Sequence, residues 1–201
     1  MSRYQFGPAY AYNLSGHPYV QWRQALSPQE CRQVIEAGEA KQLQDAKVRI
    51  SDMDEDYRRS KVSWLTEEDV PWLYERLEWI VQQLNGQFYQ YDLWGFDEDM
   101  QYTVYESEDE GFYDWHVDHF QSIENNIDLR RQRKMSLTIQ LNDATQYVGG
   151  DILFNTGRVE RGPKGLGTAI MFPSHTLHKV NPVTEGIRRS LVVWICGPHF
   201  R

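Results

Sequence analysis

His116-Val117-Asp118 sets an imidazole and a carboxylate two residues apart, inside the aromatic stretch Phe112-Tyr113-Asp114-Trp115-His116-Val117-Asp118-His119. In an extended backbone, side chains at i and i+2 leave the same face, about 6–7 Å apart. A slight twist lets both reach one metal ion. The pair is two thirds of the two-histidine, one-carboxylate face that holds non-haem Fe(II) and leaves the opposite coordination positions open. Such a tripeptide also arises by chance, so the third ligand has to come from elsewhere. His178 is the best candidate, sixty residues beyond Asp118, a separation that only a folded sheet closes; His175 competes with it. His119, one residue past Asp118, points to the opposite face and suits a solvated or substrate-side role.

The last apolar run strengthens the reading. In strand geometry Arg188, Ser190, Val192 and Trp194 share one face, and Arg189, Leu191, Val193 and Ile195 share the other. A guanidinium, a hydroxyl and an indole, all donors, are odd furniture for a core. A buried Arg needs an anion, and its planar fork takes a carboxylate in bidentate fashion. That face suits the far end of a dicarboxylate.

The remaining sequence describes the frame. Ser27-Pro28-Gln29-Glu30 combines a capping Ser, a Pro at the first helical position and a Glu three residues after the cap. The helix it opens carries Cys31, Val34, Ile35 and Ala37, and Gly38 loosens or ends it. Lys47 to Ile50 reads as a short strand and Arg58 to Leu65 as another. Asp69-Val70-Pro71 opens a second helix with Trp72, Leu73, Leu77, Ile80, Val81 and Leu84 on one face, ended by Asn85-Gly86. Residues 87–105 are aromatic and β in type. A polar, basic loop over 119–134, with Arg130, Arg131, Arg133 and Lys134, precedes strands at Met135–Leu141, Asp151–Phe154, Thr168–Phe172 and Arg188–Cys196. A turn spans Tyr147–Gly150 and a Gly- and Pro-bearing loop spans 157–167. Two helices followed by about eight short strands predict a mainly β (α+β) domain, a double-sheet jelly roll with N-terminal supporting helices. The expected division is an arm over residues 1–25 that is part of one domain covering 26–201.

Net charge of −8 argues against general nucleic-acid binding. No apolar run reaches the length of a membrane span. Cys31 and Cys196 lack metal-motif spacing and do not make a disulfide framework, so a reducing, cytoplasmic setting is expected.

Tyr105, Gly111, Tyr113, His116, Asp118, Gly149-Gly150, His178 and, ten residues later, Arg188 together resemble the Fe(II)/2-oxoglutarate-dependent oxygenases, in particular the prolyl 4-hydroxylase-like branch. The segment from Leu26 to Cys31 resembles the start of that family's domain. The resemblance covers roughly residues 26–197 and is densest over 101–196. It implies a double-stranded β-helix with Fe(II) on His116, Asp118 and His178. It implies Arg188 on the 5-carboxylate of 2-oxoglutarate, Tyr105 (with Tyr102 as its rival) bonding the cosubstrate, and Ser136 near that same carboxylate. Relatives often carry Tyr where this chain has Gln140, a departure at the cosubstrate's carboxylate. Trp194 and Tyr113 become candidate substrate-binding residues. The implied reaction takes O₂, releases succinate and CO₂ and hydroxylates a substrate, with ascorbate as a reductant. A prolyl residue in a protein or peptide is the leading substrate, and a free amino acid or other small molecule the alternative. The basic loop and Arg58-Arg59 are expected to shape substrate choice. Outside this reaction stand a metal-binding jelly-roll binding protein and a zinc hydrolase, since zinc also accepts His and carboxylate ligands.

Overall fold

A computed structural model describes residues 11–12, 18–46, 57–119 and 132–199 of the chain. In chain order the strands are β1 (Ala11–Tyr12), β2 (Val20–Trp22), β3 (Gln44–Asp45), β4 (Arg58–Arg59), β5 (Lys61–Leu65), β6 (Met100–Glu106), β7 (Phe112–His116) and β8 (Gln132–Gln140). They continue as β9 (Tyr147–Gly149), β10 (Ile152–Asn155), β11 (Val159–Arg161), β12 (Ala169–Pro173), β13 (Leu177–Val180) and β14 (Val183–Gly197). Helices α1 (Pro28–Glu39) and α2 (Pro71–Leu84) separate β2 from β3 and β5 from β6. The larger sheet runs β1-β2-β12-β8-β14-β6-β5-β3, with β9 on β14, and the smaller runs β11-β10-β13-β7-β4. All the pairings are antiparallel. No helix among the described residues is long and apolar enough to cross a membrane.

Helix α1 starts where its sequence says it should. Ser27 Oγ accepts from Glu30 N and Glu30 Oε2 accepts from Ser27 N, so both backbone donors of the capping box are satisfied. Gly38 does not end the helix. It lies within the last turn because the Tyr102 ring packs there, and a Cβ would come within 2.4 Å of that ring.

The large sheet has two faces, and alternation assigns them. Met135, Leu137 and Ile139 of β8, Leu191, Val193 and Ile195 of β14, and Met100, Tyr102 and Val104 of β6 form one core with Leu73, Leu77, Ile80 and Leu84 of α2. The opposite face turns toward the small sheet. It carries Ser136, Thr138 and Gln140, then Arg188, Ser190 and Trp194, then Gln101, Thr103 and Tyr105, and all of these are buried. The middle of the space between the sheets is therefore polar, flanked on one side by Ile170 and Phe172 of β12 packed on Ile152 and Phe154 of β10, while the larger apolar core lies on the α2 side.

Several local expectations are corrected. The run Arg58–Leu65 is two strands: the chain leaves the small sheet at Arg59 and enters the large one at Lys61. Asn85-Gly86 does not terminate the helical path, which continues as a π-helical turn over Asn85–Tyr89 and stops at Gln90, in the left-handed region with φ 55°. Most of residues 87–99 is therefore not strand, and β6 begins at Met100. Arg133 and Lys134 belong to β8 rather than to a loop. Tyr147–Gly149 and Val159–Arg161 are strands where a turn and a loop were expected, and Leu177–Val180 is a further strand. The expected strand at Lys47–Ile50, with Arg130 and Arg131, lies outside the described residues.

Candidate metal and cosubstrate site

His116 ends β7 and Asp118 lies two residues past it, so only the first of the pair is in a strand. Asp118 N donates to Ser174 O at 2.9 Å, which anchors the turn that re-aims its carboxylate. His178 comes from β13, paired directly opposite His116. One ligand atom from each of His116, Asp118 and His178 lies within 4.8 Å of the others, and all three side chains are buried. His116 Nε2 is 3.7 Å from Asp118 Oδ1, and His178 Nε2 is 3.7 Å from Asp118 Oδ2.

The surroundings orient each group. His116 Nδ1 is 2.7 Å from Asp114 O and His178 Nδ1 is 2.9 Å from Thr176 O. A backbone carbonyl accepts only from a protonated nitrogen, so both Nε2 lone pairs face Asp118. Burial, helped by the neighbouring His178, pushes the His116 imidazole down to about 3, which keeps it neutral and able to donate its lone pair. Burial alone would raise the Asp118 carboxyl. The two imidazoles, the Ser136 hydroxyl and Arg133 outweigh it and hold the group ionised below its ordinary range. Two imidazoles and one carboxylate on one point suit a divalent transition-metal ion.

Ser136 is the clearest correction within the site. It was expected beside the cosubstrate's distal carboxylate. Its Oγ instead donates to Asp118 Oδ2 at 2.7 Å and lies 3.0 Å from Ser174 Oγ. Ser136 pairs with Trp194, and Arg188 lies six residues back along β14, roughly 20 Å of extended strand. Ser136 therefore steadies Asp118 and stands away from Arg188.

Arg188 is 2% exposed, the largest fully buried side chain among the described residues. Nη1 donates to Ser190 Oγ and Nη2 to Gln140 Oε1, both at 3.2 Å, and its guanidinium lies 5.2 Å from the Tyr105 ring centroid. Arg188 Nε and Gln140 Nε2 are buried donors with no partner. A buried cation bonded only to neutral groups, beside a further free amide donor, fits an anionic ligand. Tyr147 also borders Arg188. The Gly149-Gly150 turn makes this corner: a Cβ on Gly149 (φ +79°) would meet Pro182 O at 2.1 Å, and one on Gly150 would meet Arg188 Cδ at 2.9 Å. Tyr102 faces the helix-side core instead, so it is Tyr105 that borders the pocket.

The remaining candidates divide. The Tyr113 ring stacks on His116 with centroids 3.4 Å apart and 12° between planes. Trp194 lines the metal end, with Arg133 over its ring at 3.7 Å and a buried Nε1 that has no partner. Its other aromatic neighbour is Trp64, 6.2 Å away and 39% exposed. Arg133 is paired with Glu98 and is not a loose basic-loop charge. His119 is half-buried against Arg133 O, and His175 is exposed at the turn before β13. Gln101, Thr103 and Thr138 went unnoticed in the sequence, although even-odd phasing from Ser136 and Tyr105 would have found them.

Two antiparallel sheets enclosing a buried His-Asp-His cluster and an unpaired Arg define a double-stranded β-helix protein with a metal-site geometry. Residues 100–196 match the 2OG-Fe(II) oxygenase superfamily. A PKHD-type hydroxylase of Alteromonas mediterranea is 41% identical over 85 residues, which are 41% of this chain and 37% of that one. The chain spans well under half the length of the curated relatives it matches. Among solved structures, a Pseudomonas putida prolyl-4-hydroxylase superposes with a TM-score of 0.67 at 19% identity, covering 92% of this chain and 95% of that one. A Trichoplax adhaerens prolyl hydroxylase, solved with a hypoxia inducible factor peptide fragment, superposes with a TM-score of 0.71 at 16% identity, covering 90% and 84%. The fold is the one these hydroxylases share.

Proposed function

We propose that the protein is an Fe(II)- and 2-oxoglutarate-dependent dioxygenase that hydroxylates a prolyl residue in a protein or peptide, releasing succinate and CO₂. One observation carries the reading: the His116, Asp118 and His178 cluster shares its polar interior with a buried Arg188 that has no carboxylate partner among the described residues. A jelly roll that merely bound metal would have no use for the second feature. When bound, iron with 2-oxoglutarate and O₂ supplies the oxidising chemistry.

The chain's own residues hold and shield. His116 and His178 present Nε2, each fixed by a carbonyl behind it, and Asp118 presents the carboxylate that Ser136 steadies. Arg188, with Gln140 beside it, takes the distal carboxylate, and Tyr105 packs against the guanidinium. Trp194 and Tyr113 wall the metal end and keep water from the reacting carbon. A protein or peptide substrate accords with the peptide bound by the Trichoplax hydroxylase. The buried free thiols of Cys31 and Cys196 support a reducing, cytoplasmic setting.

The test is succinate formation by anaerobically Fe(II)-loaded protein, given 2-oxoglutarate and O₂, with and without Pro-containing peptides. Succinate that rises sharply with a peptide is the expected result. Slow succinate that no peptide stimulates would remove the prolyl substrate and keep the oxygenase. No succinate, with iron confirmed in the site, would overturn the reading.

A further inference from the structure

Arg58 comes from the two-residue strand β4 on the small sheet, yet its side chain crosses to the large one. Its Nε donates to Ser60 Oγ at 2.8 Å and Nη2 to Gln101 Oε1 at 2.9 Å. Its guanidinium carbon stands 4.6 Å over the Tyr113 centroid, and that ring is itself stacked on His116. Arg58, Tyr113 and His116 thus form one stack that ends on the metal cluster. The half-buried guanidinium meets only neutral acceptors. Other arginines behave differently: Arg59 is 3.8 Å from Glu110, Arg133 pairs with Glu98, and Arg189 is 2.9 Å from Glu39. No carboxylate among the described residues pairs with Arg58.

Charge accounting then asks what matches it. This step rests on the oxygenase reading. Asp118 and the oxo-acid carboxylate of the cosubstrate balance the two charges of Fe(II), and the distal carboxylate balances Arg188. Among the described residues, Arg58 is the cation of the loaded pocket left without an anion. A guanidinium fork with one edge unbonded is well shaped for a carboxylate. We propose that Arg58 is a substrate-binding residue that pairs with a carboxylate of the substrate, so that the true substrate is anionic close to the carbon that reacts. That carboxylate is either the α-carboxylate of a free amino acid or chain end, or the side chain of an acidic residue flanking the target in a peptide.

Anaerobic calorimetry on the protein loaded with Fe(II) and 2-oxoglutarate tests this without turnover. The probes are two matched pairs: L-proline against L-prolinamide, and a blocked Gly-Pro-Asp-Gly peptide against its Asn counterpart. The carboxylate member of one pair should bind roughly tenfold to a hundredfold more tightly than its neutral partner. The pair that discriminates identifies the source. Arg58→Gln should bring the two members to equal affinity, and Arg58→Lys should restore part of the difference. Equal binding within both pairs in the wild-type protein, or no binding of any probe, would overturn the proposal, as would discrimination that survives in Arg58→Gln. The wild-type comparison decides even if a variant fails to fold. The visible charge-transfer absorption of an Fe(II)–oxo-acid chelate separates the two levels: its absence in the wild type would sink the oxygenase reading itself. A chelate lost only in Arg58→Gln would assign Arg58 to the cosubstrate and overturn the substrate role.

Discussion

Ser136 Oγ donates to Asp118 Oδ2 at 2.7 Å across eighteen residues of chain, so a hydroxyl on the large sheet fixes the only carboxylate of the metal cluster. Partners of this kind orient a ligand and raise its affinity for metal. Ser136→Ala should weaken Fe(II) or Mn(II) binding about 10- to 100-fold while the fold persists. Metal titration checks this; an unchanged affinity would show that the backbone bond from Asp118 N to Ser174 O orients the carboxylate alone.

His178 and His175 separate the ligand from a surface residue. His178 is buried opposite His116, and His175 is exposed at the preceding turn. His178→Ala should abolish metal binding and His175→Ala should leave it intact. Equilibrium dialysis with Fe(II) under argon reads both, and the reverse pattern would reassign the ligand.

Arg188 is a buried cation held by neutral groups. Buried ion pairs replaced by well-packed apolar side chains of similar volume are often neutral or stabilising by about 1–4 kcal/mol, and a buried cation with no anion to lose should fare no worse. Arg188→Met should therefore melt no lower than the wild type without cosubstrate. In the wild type, 2-oxoglutarate at a hundred times its Kd should add about 2.7 kcal/mol of stability, and in Arg188→Met that gain should vanish. A lower Tm for the unloaded variant would make Arg188 a structural strut.

Asp69 guards the entry to α2. Hydrogen bonds from Lys41, then from the backbone and hydroxyl of Thr66, pull its carboxyl down to about 2. A depressed carboxyl stabilises the fold above its unfolded value near 3.8, and this contribution is lost as pH falls through the folded value. Wild-type stability should therefore drop between about pH 4 and pH 2 more steeply than that of Asp69→Asn. Urea midpoints across that window measure the difference, and parallel curves would show that the carboxylate contributes nothing.

Much of this was legible because it is local. The capping box at Ser27 and Glu30 depends on residues three apart. The phase of β14, with Arg188, Ser190 and Trp194 on one side, follows from a period of two that no partner can change. His116 and Asp118 announce themselves by spacing, and His178 by its distance to Arg188.

What sequence spacing could not supply is register between distant strands, because pairing is set by the whole sheet's packing and one residue of slip exchanges its faces. Register put Ser136 opposite Trp194 and beside Asp118 instead of near Arg188. The change of sheets between Arg59 and Lys61, invisible in a run of strand-forming residues, carried Arg58 over Tyr113. The sequence by itself determined the candidate ligand residues and the face of β14 that carries Arg188, since those follow from side-chain type, spacing and, along β14, alternation. Only the tertiary structure decided which groups steady them and which charge remains unmatched, since these depend on contacts between segments far apart in the chain.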